Sequence, residues 1–160
     1  LYSHHPLHDP DHAETRPWKH QKMQKAQTQD NLLSDIPKNL PPTQYSEKIQ
    51  TRVASVNFDW QTPQEVIGVL KSEIAELEIA IESGLVTDME DELGDVIFTT
   101  VNLARHLNTT VDKALMRSNR KFTTRFEILE TLLKKDNLNV CDLPFDDLLS
   151  YWKQAKEALC

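Results

Sequence analysis

The sequence predicts an all-α protein, an antiparallel bundle of about four to five helices. Three observations predict the helical class. The 160 residues hold only three glycines and are rich in Leu, Glu, Lys and Ala, a composition of helix formers. After Pro42, apolar residues recur three and four apart, the period of a helix face. Capping residues, glycine and proline punctuate those runs where helices start and stop. No convincing strand pattern and no internal repeat interrupt this reading.

Residues 1–42 read as a linker with room for one short helix. "LYSHHPLHDPDHAETRP" gathers His4, His5, His8, His12, Asp9 and Asp11, which are metal-ligand types. Its prolines deny them a helix to orient them, so a linker is the better reading. "PWKHQKMQKAQTQ" around Trp18 suits a short helix, and "DIPKNLPP" at 35–42 forms a boundary, because each proline disfavours helical backbone in the residue before it.

Residues 43–160 read as one domain. Tyr45, Ile49, Val53 and Val56 share a helical face, and "NFDW" at 57–60 closes it. Thr62, Pro63 and Glu65 give N-cap, first position and capping box for a helix running to about Ser83, with Gly84 as its stop. Thr87-Asp88-Met89-Glu90 repeats the capping pattern for a helix to about Asn108. A fourth begins near Thr109 or Thr110 and carries "NRKFTTRFEILETLLKK", its lysines matching the negative end of the helix dipole. After "DNLNVCDLP", the amphipathic "FDDLLSYWKQAKEAL" forms the last helix.

A net charge of −7 argues against nucleic acid or an anionic membrane as partner. No apolar run approaches the ~18 residues of a membrane helix, and no signal peptide is visible. Cys141 and Cys160 are too few for a disulfide framework, so a reducing cytoplasm is expected. The chain opens on Leu1, which fits a piece of something longer.

The charge is unevenly placed. Ser72–Ala104 holds nine acids and no Lys or Arg, a pattern that is often only a solvated face. At about 100° per residue, however, Glu73 falls inside the apolar arc of Val66, Val69, Leu70, Leu77 and Ala80, with Glu76 at its edge. On the next helix Glu92 projects beside Val96 and Leu103, and Asp95 lies one step round. Buried carboxylates cost several kcal/mol each without compensation. Lys or Arg from a third helix would compensate them; so would a divalent cation. Two Glu-x-x-Glu/Asp pairs on antiparallel helices can present four oxygen donors to one point, which suits Mg²⁺ or Mn²⁺. A di-iron centre would need Glu-x-x-His pairs, and His106 follows Leu103 instead.

Downstream, Lys121 and Arg125 stand one turn apart beside the face of Phe122, Leu129 and Leu133, and Trp152 and Lys156 repeat that step. Acids, cations and a stacking ring suit a nucleoside triphosphate. Surface solvation of the cations and a core position for Trp152 are the structural alternatives.

"SEIAE" followed by "EDELGDVIF" resembles the E-E-x-x-E and E-x-x-D signature of the all-α nucleoside triphosphate pyrophosphohydrolases. More narrowly, "KIQTRVASVNFDW", "DELGDVIFTTVNLARHL" and "NRKFTTRF" are similar to the C-terminal domain of the MazG family, from about Trp18 onward. The resemblance implies a dimeric helical bundle that uses Mg²⁺ to hydrolyse NTP to NMP and pyrophosphate. It implies that Glu73, Glu76, Glu92 and Asp95 are the catalytic metal-binding acids. Lys121 and Arg125 would contact phosphates, and Trp152 and Lys156 the nucleotide. Two positions depart from the family: Ser72 replaces the first acid of E-E-x-x-E, and Asn57 replaces a glycine, as a left-handed residue would. The competing class is a non-catalytic helical dimerisation or regulatory module with a relic metal site.

Overall fold

The computed structural model describes residues 31–160, so the histidine cluster and the short helix around Trp18 lie outside the described residues. Among the described residues five α-helices run in order: α1 Pro42–Ala54, α2 Pro63–Ser83, α3 Val86–His106, α4 Val111–Lys135 and α5 Phe145–Glu157. The described residues contain no strand, and no helix among them is long and apolar enough to cross a membrane. The chain divides into two compact units, one through Val111 and one from Asp112 onward.

In the first unit, residues 31–41, read from sequence as linker, form turns held onto α1. Arg52 donates to the Leu32 carbonyl and pairs with Asp35, and Ile36 is buried. After α1 the chain reverses through Asn57, whose φ of 67° is left-handed and tolerable for asparagine. The Thr62–Glu65 capping box then forms as the sequence predicts: the Glu65 amide donates to Thr62 Oγ1 and the Thr62 amide to Glu65 Oε2, each at 3.2 Å. Gly84, at φ 72°, ends α2, and that backbone favours a residue without Cβ.

The start of α3 differs from expectation. Thr87 is not its cap; it lies inside the first turn, and Leu85 holds the cap position without a side-chain bond. Only Gly84 and Leu85 separate the helices, so the helix resumes before Thr87 is reached. Such a short link makes α2 and α3 an antiparallel hairpin. Its core comprises Val66, Val69, Ala80, Val101 and Ala104. α1 also packs on α3, and buried Gln50 donates Nε2–H to the Phe98 carbonyl at 2.9 Å.

In the second unit α4 and α5 pack around Leu129, Leu133 and Ala155. A left-handed Asn137 and a short 3₁₀ turn at Val140–Asp142, not foreseen from sequence, connect them. Tyr151 donates its hydroxyl hydrogen to Asp136 at 2.6 Å.

Asp59, in the "NFDW" turn, ties that turn to the end of α3. Its carboxylate accepts from Arg105 at 2.8 Å and pairs with His106 Nε2 at 3.1 Å. Arg105 also donates to Asn102 Oδ1. Partial burial pushes the Asp59 pKa up, but the bonds from Arg105 and His106 outweigh it, leaving the carboxyl below its ordinary 3.8. A depressed carboxylate stabilises the fold above its unfolded pKa and loses that contribution as pH falls through the folded value. Asp59→Asn should therefore cost about 1 kcal/mol near neutrality, after allowance for solvent screening. Denaturation of both proteins from pH 6 down to about pH 2.5 should show the difference shrinking below about pH 4.

Candidate metal and nucleotide site

The hairpin decides which acids meet. Glu73 and Asp95 stand equally far from Gly84 on opposite arms, and an antiparallel pair brings such positions level. Glu92, one turn before Asp95, shares the side. One carboxylate oxygen from each of Glu73, Glu92 and Asp95 lies within 4.8 Å of the others. Glu73 is 6% exposed, while Glu92 and Asp95 are half-buried. Glu76 is exposed and outside this trio. Its helix face carries it toward solvent, one turn from Glu73.

Burial raises the pKa of Glu73 above its ordinary value; the charges of Asp95, then Glu92 and Glu76, push the same way. Among the described residues no Lys, Arg or His pairs with Glu73 within 4.0 Å. The third-helix cation that would satisfy it as an ion pair is therefore missing among them. A buried carboxylate facing two others is a poor structural ion site and a good donor set for a hard divalent cation. The residues present fit such an ion, with Glu73, Glu92 and Asp95 as its donors. Ser72 donates its hydroxyl hydrogen to the Gly68 carbonyl at 3.2 Å, so it serves its own helix.

The second unit holds the predicted substrate-contacting residues. Lys121 is exposed. Arg125 is half-buried, and its Nε is enclosed without a hydrogen-bond partner. Trp152 packs on the Leu129–Leu133–Ala155 core and against Phe122, with ring centroids 5.0 Å apart at 42°. It is a core anchor on one side and half-exposed on the other. Lys156 is exposed one turn further along α5. Sequence reasoning missed the Asp59–Arg105–His106 cluster. Its only sequence signal is an acid in a turn and two basic residues ending a helix.

An all-α fold with three carboxylates converging on one helical hairpin defines a candidate divalent-metal protein. Residues 61–128 match the MazG nucleotide pyrophosphohydrolase domain, and the chain carries a domain of that family. It is 37% identical over 138 residues to the nucleoside triphosphate pyrophosphohydrolase of Escherichia coli K12, covering 85% of this chain and 52% of that protein. It is 34% identical over 140 residues to the nucleoside triphosphate pyrophosphohydrolase/pyrophosphatase MazG of Thermotoga maritima, covering 87% and 54%. The uncharacterized protein YabN of Bacillus subtilis is 30% identical over 137 residues, covering 85% and 28%. The chain thus spans about half the length of the first two relatives.

Glu73→Gln should melt higher than the parent protein in EDTA, because it removes a buried charge from a repelling trio. In saturating Mg²⁺ the parent should gain more, so the difference narrows or reverses. A raised carboxyl pKa costs stability above its folded value. In EDTA the advantage of the variant should therefore fade as pH falls and Glu73 protonates. Equal destabilisation of the variant with and without metal would show that a protein cation satisfies Glu73.

Proposed function

We propose that the chain is a Mg²⁺-dependent nucleoside triphosphate pyrophosphohydrolase, converting NTP and water to NMP and pyrophosphate, with Mn²⁺ as an alternative ion. The observation that carries this reading is the buried Glu73 carboxylate facing Glu92 and Asp95 with no ion-pair partner among the described residues. The matched MazG domain and the names of the E. coli and T. maritima relatives support it. We read residues 43–160 as the catalytic domain, acting in the cytoplasm as a homodimer, with nucleotides rather than nucleic acid or membranes as partners.

Glu73, Glu92 and Asp95 would hold the ion, with Glu76 at the margin of the site, its carboxylate free to accept from bound water. A divalent ion in such a site neutralises phosphate charge and activates water toward the α-phosphorus. Lys121 and Arg125 offset charge on the phosphate chain. The half-exposed side of Trp152 stacks on the base, with Lys156 beside it. A stacking ring reads the face of a base and not its hydrogen-bonding edge, so selectivity among bases is expected to be loose.

Glu92→Gln and Asp95→Asn each remove a donor at nearly constant volume. Each should reduce Mg²⁺-dependent pyrophosphate release at least 100-fold, that is, about 2.7 kcal/mol of transition-state stabilisation, while circular dichroism stays unchanged. Full turnover in either variant would remove the acid-site mechanism.

A further inference from the structure

The inner face of the α2–α3 hairpin changes character one turn beyond the acids. On α3, Thr99 and Asn102 follow Asp95 by four and seven residues, so they continue its face of the helix. On α2, Val69 and Val66 continue the face of Glu73 in the same way, and they stand as far from Gly84 as Thr99 and Asn102 do. All four are buried. Away from the link between the helices, the face therefore passes from three carboxylates to two valines and two neutral polar residues. Against it lies Gln50 of α1, 3% exposed, whose Nε2 donates to the Phe98 carbonyl.

Two polar atoms here have no hydrogen-bond partner among the described residues. The bond to Phe98 sets the orientation of the Gln50 amide and leaves its Oε1 as a buried acceptor without a donor. Thr99 is 2% exposed, and its Oγ1 is also unpartnered. Its chain neighbour Thr100 and the α4 residues Thr123 and Thr131 each donate to the carbonyl four residues earlier; Thr99 does not. The Phe98 carbonyl belongs to the peptide bond leading into Thr99, so both atoms lie at the same turn of α3. Buried polar atoms are seldom left unmatched, because enclosure without a hydrogen bond costs stability. Gln50 Oε1 only accepts, while Thr99 Oγ1 can accept or donate. The complement of this pair is an O–H group.

We propose that Gln50 Oε1 and Thr99 Oγ1 bind the 2′,3′-hydroxyl edge of the nucleotide's ribose. The inference rests on the pyrophosphohydrolase reading and deepens it by setting which way the substrate lies. A helix rises about 1.5 Å per residue, so Thr99 lies about 6 Å along α3 from Asp95. An α-phosphate held at the acids has the sugar on one side and the rest of the phosphate chain on the other. Charge decides which of them turns toward Thr99. Among the cations of α1–α3, Arg52 is engaged by Asp35, and Arg105 and His106 by Asp59. Lys48 and Lys71 are exposed, about 200° round their helices from Gln50 and Glu73. A polyphosphate here would meet valines and an acceptor, with no counter-charge. A ribose brings two hydroxyl donors and a ring that Val66 and Val69 can cover. The cleft must open to admit it, as it must for any ion to reach Glu73, itself 6% exposed.

The test compares equilibrium binding of α,β-methylene nucleoside triphosphates, in Mg²⁺, carrying either ribose or 2′,3′-dideoxyribose. The full chain should bind the ribose form about tenfold more tightly, the scale of hydrogen bonds lost against a buried acceptor. Thr99→Val and Gln50→Met should each reduce that preference to about threefold or less. Both should raise KM for an NTP with kcat unchanged, as loss of a contact made equally in ground and transition states does. Thr99→Val should not lower Tm, because its hydroxyl has no partner in the unliganded fold. Gln50→Met also gives up the bond to Phe98; Thr99→Val leaves that bond alone and keeps the test independent of folding. A parent that binds both sugars equally, or a Thr99→Val protein that keeps the full preference, would overturn the proposal while Mg²⁺-dependent pyrophosphate release stands. An unchanged preference with a lowered Tm would also overturn it, marking an internal water as the partner of the pair. Absence of pyrophosphate release in the parent would overturn the enzyme reading and this inference with it.

Discussion

The constraint on which the rest depends is the burial of one carboxylate among like charges. Glu73 lies inside the apolar face of α2, within reach of Glu92 and Asp95, and burial and repulsion both push its proton affinity up. A protein meets such a cost with stability gained elsewhere or with a bound cation. The hairpin geometry serves that arrangement. The capping box fixes where α2 begins, Gly84 fixes where it ends, and the two-residue link fixes which residues of α3 lie level with Glu73. A longer link would free the register of the two arms and with it the meeting of the acids.

Most of the helical layout was legible because its punctuation is local. Thr62, Pro63, Glu65 and Gly84 act within a few residues of themselves, and α2 begins and ends where they direct. The cap at Thr87 was misread because the same local signal can stand inside a first turn when the preceding link is short. Burial of Glu73 was legible from helical phase alone. The exposure of Glu76 was less so, since a residue at the edge of an arc is assigned by its neighbours in space. The Asp59 cluster joins residues 46 and 47 positions apart, and no local pattern announces such a contact. Trp152 shows the same limit. Spacing left core anchor and stacking ring level, and in the fold it packs on Phe122 and the α4–α5 core with part of its surface still open.

Charge is segregated along this chain, with acids on α2 and α3 and cations on the first half of α4. That separation suits the proposed chemistry. Metal-binding oxygens and phosphate-binding nitrogens need different elements, since placing them on one face would let them neutralise each other. Asp59, Arg105 and His106 pair off at the end of α3.

The claim that Glu73 is held for a metal ion is tested most directly by titration calorimetry of the full chain with Mg²⁺ in buffers of different ionisation enthalpy. A carboxyl with a raised pKa must lose its proton as the ion binds, so proton release should grow as pH falls from 7.5 toward 5.5. The account predicts saturable binding with that pH-dependent release, and a loss of the release in Glu73→Gln. Absence of saturable binding, or binding with the same proton release in parent and variant, would contradict it.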